Sequence, residues 1–201
     1  MAASVADPIH LSLPDTLEGP RVLLRPYAER DAAAVLASVD ESRESLAPWM
    51  IWAHADHTVA DYVAHIRRWQ ARWVLREELH LGIFDRHTGR HLGGTGLHRI
   101  DWQIRRFEIG YWLRDSAVGH GYATETVQVL TRFAFEVLQA NRVEVRMDAH
   151  NARSRAVPQR LGFLYEGRLR GAAAGVDGQP RDTEVFAVLP DDYARLVWRT
   201  S

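Results

Sequence analysis

The stretch "LRDSAVGHGYATET", Leu113–Thr126, places Gly119 and Gly121 between a segment typical of a strand and a segment typical of a helix. Glycine lets an anion approach the backbone closely, and the first turn of a helix adds unpaired donors with a partial positive charge. The stretch therefore fits a phosphate cradle. It also fits a strand-to-helix turn that needs glycine for its dihedral angles, and the spacing alone leaves both interpretations open.

A dinucleotide-binding Rossmann motif is one alternative for the same stretch. "GHGYAT" opens with the required G-x-G, but Thr124 stands where the third glycine is expected. The strand before it is a late one in the chain, and Asp148 is poorly placed to bind a ribose. The residues therefore disfavour a Rossmann site.

The composition removes several classes of enzyme. The chain has 201 residues, a formal net charge of −1 and no cysteine, and all of its 25 basic residues are arginines. Thiolate nucleophiles, disulfides, Schiff-base lysines and P-loop lysines are therefore excluded. Any catalysis would use carboxylates, hydroxyls, histidines or backbone amides.

Charge and hydropathy also bear on partners and location. The near-zero net charge gives no sign of a nucleic-acid partner. No apolar run approaches the ~20 residues that span a bilayer, and the N-terminus lacks the pattern of a secretory signal. We therefore expect a cytoplasmic protein with neither a nucleic-acid nor a membrane partner.

Hydrophobic periodicity predicts a mixed α/β domain with a mainly antiparallel front half and one β-α-β crossover in the middle. Thr58 and Asp61 have the spacing of a weak capping box at the start of one helix. The predicted strands are 21–25, 79–85, 91–100, 105–114, 142–149, 163–172 and 182–189; the predicted helices are 26–40, 58–77, 123–140 and 152–162. Residues 42–52 are predicted to form a loop or a short helix.

Two separated motifs, "EIGYWLRDSAVGHGYATE" (108–125) and "NARSRAVPQRLGF" (151–163), resemble the GCN5-related N-acetyltransferases, or GNAT family. Within that family the chain is most similar to the RimJ/RimL-type branch, the ribosomal-protein N-terminal acetyltransferases. "LEGPRVLLRPYAERDA" (17–32) and "PDDYARL" (190–196) extend the resemblance to about residues 17–196. It implies one acetyltransferase domain at 17–201 behind an N-terminal arm at 1–16.

The resemblance also implies the fold and the co-substrate. The expected fold is a mainly antiparallel sheet flanked by helices, in which two strands splay apart to receive the pantetheine arm of acetyl-CoA. The family's pyrophosphate motif, Q/R-x-x-G-x-G/A, matches at Gly121 and Ala123, whereas Val118 stands where glutamine or arginine is expected. The implied CoA contacts are Trp112, Leu113, Val118, Gly119, His120, Gly121, Tyr122, Ala123, Thr124 and Asn151.

Attack of an amine on a thioester needs a base, donors for the developing oxyanion and a proton for the leaving thiolate. The resemblance makes Glu108 the candidate base. The alternative is a solvent-facing strand residue paired with an arginine such as Arg105 or Arg106. The resemblance likewise makes Ser154 the candidate proton donor, and the alternative is a helix serine that bonds back to a carbonyl.

The second motif contains two further features. The resemblance makes Asn151 a pantetheine contact. The alternative is a purely structural role, because Asn151 occupies the position of a helix N-cap. Pro158 lacks the N–H that would bond to the Ser154 carbonyl, so we expect a kink in this helix.

Trp49 and Trp52 are candidates to line the acceptor pocket. The alternative is that both side chains pack in the hydrophobic core. The histidine pairs His54/His57 and His87/His91 lie in loop-like segments with no third ligand at a recognisable spacing, so no metal site is expected.

The acceptor stays open from the sequence: a protein N-terminus, as in ribosomal-protein acetylation, a lysine side chain or a small amine. A larger donor such as succinyl-CoA and a non-catalytic CoA-binding module are the alternatives, and Val118 favours the module. The oligomeric state stays open as well, a homodimer included.

Overall fold

Eight strands form one sheet in the computed structural model of the protein, which describes residues 7–200. Their order is β1-β2-β3-β4-β5-β6-β8-β7. The strands are β1 (Leu17–Glu18), β2 (Val22–Arg25), β3 (Leu79–Asp85), β4 (His91–Asp101), β5 (Arg106–Leu113), β6 (Arg142–Asp148), β7 (Leu164–Ala174) and β8 (Pro180–Val188). Within the described sheet β5 and β6 pair in parallel and the other neighbours are antiparallel, which confirms the predicted mixed fold.

The helices are α1 (Ala32–Glu41), α2 (Arg43–Leu46), α3 (Val59–Leu75), α4 (Tyr122–Glu136), α5 (Ala152–Leu161) and α6 (Pro190–Tyr193). The capping box predicted for α3 is confirmed: the Asp61 N–H donates to Thr58 Oγ1 at 3.2 Å, and the Thr58 N–H donates to Asp61 Oδ2 at 2.8 Å. In residues 7–200 no helix is both long and apolar enough to cross a bilayer.

The helices cover two faces of the sheet with separate cores. On one face α4 buries Val127 and Leu130 against Phe107 and Ile109 of β5. On the other face α1 and α3 build a smaller core that contains Ile66. Strand β5 therefore contributes to both layers, because successive side chains of a strand point to opposite faces.

The N-terminal segment packs along this body where it is described. The Arg76 guanidinium donates to the Leu11 carbonyl at 2.7 Å, and Leu13 packs against the larger core. The first six residues of the predicted arm lie outside the described residues.

A fork between β5 and β6 is the feature that positions the site. The two strands pair only through Arg106–Glu108 and Arg142–Glu144. Strand β5 continues to Leu113 and β6 to Asp148, and both continuations line the same cavity. The strands therefore separate after Glu108, as the predicted splayed pair requires.

Candidate active site

A cavity of about 1040 Å³ extends from the β5–β6 fork to the glycine stretch at the start of α4. Helix α5 forms part of its wall. The predicted site residues that line it are Trp49, Glu108, Trp112, Leu113, Val118, Gly119, Gly121, Ala123, Thr124, Asn151 and Ser154. One cavity therefore brings together residues from two motifs that are far apart in the sequence.

The glycine stretch combines the two interpretations that the sequence left open. Gly119 and Gly121 have φ angles of +85° and +82°, which are left-handed conformations that favour glycine. The first hydrogen bond of α4 runs from the Glu125 N–H to the Gly121 carbonyl at 3.1 Å. The N–H groups of Tyr122, Ala123 and Thr124 precede that bond and are the donors that a helix start offers to an anion. The geometry of the turn therefore does not decide between the two interpretations, because the same glycines also leave the helix-start donors exposed.

His120 and Tyr122 do not line this cavity with their side chains. The His120 ring contacts the Val118 carbonyl, with Nδ1 at 3.0 Å. The Tyr122 hydroxyl donates to Asp85 Oδ2 at 3.2 Å. The side-chain contacts expected from these two residues are therefore not present in the cavity.

Arg21 is a cavity residue that sequence reasoning missed. Its Nη1 donates to the His120 carbonyl at 2.8 Å, and its Nε pairs with Glu125 Oε2 at 2.8 Å. The Glu125 carboxylate, only 6% exposed, also accepts the Arg21 and Val22 N–H groups and so fixes β2 to the first turn of α4. No local signal could have found Arg21, because it lies about 100 residues before the glycine loop.

Two more arginines, both on α5, line the cavity. Arg160 of α5 donates to the Thr124 hydroxyl at 2.9 Å, and Arg153 lies about two turns of helix earlier. The Val118 side chain, 41% exposed, supplies no polar group at this point. Positive charge around the loop therefore comes from α5 and from the start of β2.

Glu108 lies at the apex of the fork. Its side chain is 16% exposed, and Oε2 is 3.4 Å from Arg99 Nε and 3.7 Å from Arg146 Nε. The predicted alternative partners, Arg105 and Arg106, were wrong, since Arg105 bonds to Gln139 and Arg106 pairs with Asp101.

Burial raises the pKa of Glu108 above its ordinary value. The nearby Arg99 and Arg146 favour the charged form and oppose this shift, while Glu144, in register on β6, reinforces it. The direction shows that desolvation outweighs the two arginines. A largely buried carboxylate with a raised pKa binds a proton more readily than an exposed glutamate does, which suits it to act as a base.

Tyr111 connects the fork to α5, and sequence reasoning gave it no role. Asn151 caps α5, with Oδ1 accepting the Ser154 N–H at 3.0 Å. The Tyr111 hydroxyl donates to the Ser154 carbonyl at 2.9 Å and lies 3.2 Å from Ser154 Oγ. Pro158 stands four residues after Ser154, so that carbonyl has no helical donor, and the tyrosine takes its place. Burial raises the pKa of Tyr111 to about 12.

The two predicted acceptor tryptophans fall in different cavities. Trp49 lines the first cavity, whereas Trp52 lines a second one beside it. The Trp52 ring meets the Trp112 ring edge to face, with centroids 5.5 Å apart. The Trp112 indole in turn lies against Gly94, where a Cβ atom would come within 2.4 Å of Nε1.

The four histidines considered in the sequence serve local structure. His54 and His57 contact the backbone carbonyls of Ala47 and Trp52. His87 lies in the β3–β4 turn. His91 is not a loop residue as expected: it is buried, with Nδ1 2.8 Å from Ser38 Oγ.

A different group has the composition of a metal site. Among the described residues, Glu78, His80 and His98 offer ligand atoms within 4.8 Å of one another. His80 lies on β3, His98 lies on the neighbouring β4, and Glu78 immediately precedes β3, so no spacing rule in the sequence connects all three. The Glu78 carboxylate already accepts a hydrogen bond from Arg72 and contacts His80 at 2.9 Å.

Comparison with protein families gives one match that spans most of the chain. Residues 21–164 match a family model described as the acetyltransferase (GNAT) domain. This range includes β2, the fork, the glycine stretch and α5.

Individual relatives agree with the family match. The chain is 28% identical over 173 residues to the putative ribosomal N-acetyltransferase YdaF of Bacillus subtilis, covering 86% of this chain and 93% of YdaF. It is 32% identical over 179 residues to the probable N-acetyltransferase YjcK of the same organism, covering 88% and 98%. Its structure resembles that of Mycobacterium smegmatis RimJ in complex with CoA-disulfide, with a TM-score of 0.83, 28% identity and coverage of 91% of each chain.

Proposed function

Since the chain belongs to the GNAT acetyltransferase family, we propose that it transfers the acetyl group of acetyl-CoA to a primary amine by direct attack in a ternary complex. One observation carries this proposal. A single cavity joins a fork between two strands, a half-buried glutamate at its apex and a glycine loop at a helix start. Amine acylation needs these three parts: a channel for the acyl carrier, a base and an anion cradle.

The cavity end at the glycine loop fits a diphosphate. The N–H groups of Tyr122–Thr124 lie ahead of the first helical hydrogen bond, Arg21 and Arg160 contact the same loop, and Arg153 lines the cavity further along α5. Backbone donors at a helix start and guanidinium groups are the usual partners of phosphate oxygens. These residues would hold the CoA pyrophosphate, and the absence of a side-chain donor at Val118 is offset by the arginines.

The free edge of β5 would hold the pantetheine arm. Beyond Glu108 this edge faces the fork, and the opposite edge of Trp112 and Leu113 is in register with Gly94 and Gly93 of β4. An extended amide chain can add to such an edge as another strand would. Acetyl-CoA supplies an activated acyl carbon and a thiolate leaving group.

Glu108 would remove the proton of the attacking amine, directly or through one water. The nitrogen bonds to the acetyl carbon, the carbon–sulfur bond breaks, the amine loses one proton and the sulfur gains one. The raised pKa of Glu108 makes its carboxylate a stronger base than an exposed glutamate.

Ser154 would pass a proton to the departing sulfur. Tyr111 has a single hydroxyl proton, and its geometry directs that proton to the Ser154 carbonyl. The remaining contact between the two oxygens therefore has Ser154 Oγ as its donor in the resting enzyme. Turning this hydroxyl away from Tyr111 toward the sulfur costs one hydrogen bond, so Ser154 contributes less to the rate than Glu108.

The acceptor we propose is a protein N-terminus or a small primary amine. The name of YdaF refers to ribosomal N-acetylation, and RimJ belongs to the branch named for ribosomal-protein acetylation. Ribosomal-protein N-termini are therefore the first acceptors to test. Cytoplasmic location follows from the same proposal, since ribosomal proteins are acetylated there.

The test is CoA-thiol release from acetyl-CoA in the presence of a panel of N-terminal peptides and small amines, with the products identified by mass. We expect a mass increase of one acetyl group on at least one amine. Succinyl-CoA run in parallel separates the acetyl donor from a larger one. Calorimetric binding of CoA without transfer to any amine would instead favour a non-catalytic CoA-binding module.

A further inference from the structure

A second cavity of about 440 Å³ lies between α1, α3 and strands β3–β5. Small-ligand sites have volumes of roughly 300–1,000 Å³, so this one can hold a side chain or a small amine. It meets the first cavity at Met50, Gly110, Tyr111 and Trp112, which line both. A molecule in the second cavity can therefore present one end to the fork.

Aromatic rings form most of the wall of this second cavity. They pack on one another: Tyr27 and Trp69 have ring centroids 5.0 Å apart, and the Trp69 ring stacks on His80 at 5.3 Å. Such contacts hold the rings in place before a ligand arrives. The tyrosines and tryptophans that line the cavity are Tyr27, Trp52, Tyr62, Trp69, Tyr111 and Trp112.

The wall carries no carboxylate. None of the described residues that line the second cavity is an aspartate, a glutamate or an arginine. Burial lowers the pKa of His65 below its ordinary value. The carboxylate of Glu78 lies behind His80 and is bonded to Arg72. A cationic side chain placed here would lose its water and gain no counterion.

We propose that the second cavity binds an uncharged aromatic side chain adjacent to the acceptor amine, and so selects acceptors of this class. The inference rests on the proposed function for the position of the reacting amine, at the residues shared by the two cavities. Offset and edge-on contacts between rings favour an aromatic occupant over an aliphatic one. The acceptors of this class are peptides with N-terminal phenylalanine or tryptophan, and arylalkyl amines.

The first test measures binding without turnover. Trp52, Trp69 and Trp112 line the cavity, so intrinsic tryptophan fluorescence reports on its occupant. We expect N-acetylphenylalanine amide to bind with a Kd at least about tenfold below that of N-acetylalanine amide. Equal Kd values for these two amides would overturn the inference. So would a Kd for N-acetyl-lysine amide below that of the phenylalanine amide, because the faces of the rings would then be binding a cation.

The second test measures transfer to peptides that differ only in their first residue. We expect kcat/KM for an N-terminal phenylalanine to exceed that for alanine by about tenfold or more, with lysine below alanine. Acetylation of all three at one rate would overturn the inference and leave the proposed function standing. Tight binding of the phenylalanine amide, with no release of CoA thiol in the presence of any amine, would contradict the proposed function and leave this inference standing.

A charge placed in the wall gives a third readout. His65→Glu adds a carboxylate to the second cavity, and we expect the ratio of lysine-peptide to phenylalanine-peptide kcat/KM to rise several-fold. His87→Glu, the same change in an exposed turn, is the matched control and should leave that ratio unchanged. An unchanged ratio in the folded His65 variant would mean that the first residue of the acceptor lies elsewhere.

Discussion

The Tyr111 hydroxyl donates a 2.9 Å hydrogen bond to the carbonyl of Ser154, the one carbonyl of α5 that Pro158 leaves without its helical donor. A strand at one wall of the cavity is thereby tied to the helix at the opposite wall. The bond compensates for the proline locally, and it also sets the width of the cavity beyond the fork.

Tyr111→Phe should destabilise the fold by about 1–3 kcal/mol, because it leaves a half-buried carbonyl without a partner. The cost should be smaller in a Pro158→Ala background, since the backbone N–H that alanine restores can donate to that carbonyl along the helix. Urea unfolding of the two single variants and the double variant measures this coupling. Strictly additive effects would mean that the tyrosine does not replace the missing helical donor.

Glu108→Gln should lower kcat by about 10²–10⁴-fold, because an amide cannot accept the proton of the amine. Binding of CoA, measured by calorimetry, should change little. Glu77→Gln makes the same substitution at an exposed position after α3 and should retain full activity. A variant with normal kcat would remove Glu108 from the proton path.

The pH dependence of kcat/KM gives a second check on Glu108. The base acts when ionised, and its pKa is raised, so activity should fall as the pH drops, with a midpoint above that of an exposed glutamate. This acidic limb should be absent from the residual activity of Glu108→Gln. If the variant keeps the limb at the same pH, another group is responsible for it.

Arg21→Ala should weaken CoA binding by about 5–50-fold, since it removes a guanidinium from the phosphate end of the cavity. Val118→Gln should strengthen binding, because it adds a side-chain donor where the present residue has none. Arg67→Ala, which removes an exposed arginine of α3 outside both cavities, is the control. Calorimetry with CoA and with pantetheine, which lacks the phosphates, separates the two ends of the ligand. Arg21→Ala should leave the Kd for pantetheine unchanged.

Local patterns in the sequence predicted most of the strands and the main helices. Period-2 alternation places Phe107 and Ile109 on one face of β5, and both are buried there. The Thr58 cap and the glycines that begin α4 are equally local. These features could be predicted because neighbours in the chain determine them.

Contacts between distant segments could not be predicted in this way. Arg21 reaches the glycine loop only because β2 and α4 are held together by the buried Glu125. Tyr111 meets Ser154 across the cavity, 43 residues away in the chain. The second cavity likewise draws its rings from α3, from three strands and from the segments that precede α1 and α3, and no single segment shows the pattern.

The last prediction concerns Glu41, which fixes the end of α1 to the turn that leads into the glycine loop. Its carboxylate accepts hydrogen bonds from the Arg114 guanidinium and from the Ser116 N–H at 2.9 Å. The Arg114 hydrogen bond is the main cause that lowers the pKa of Glu41 to about 2. In the unfolded chain the pKa returns to its ordinary value of about 4.3.

The pKa of Glu41 is lower in the folded than in the unfolded protein, so the ionised carboxylate stabilises the fold. This stabilisation is fully present at pH values above the unfolded-state pKa. The stabilisation is lost as the pH falls through the folded value of about 2. Glu41→Gln should therefore cost about 1 kcal/mol at pH 7, allowing for partial solvent screening. The difference from the native chain should narrow between about pH 5 and pH 2. Urea unfolding at pH 7, 5 and 3 measures it, with the exposed Glu44→Gln as control. A difference that stays constant over this range would mean that the charge of Glu41 does not hold the turn.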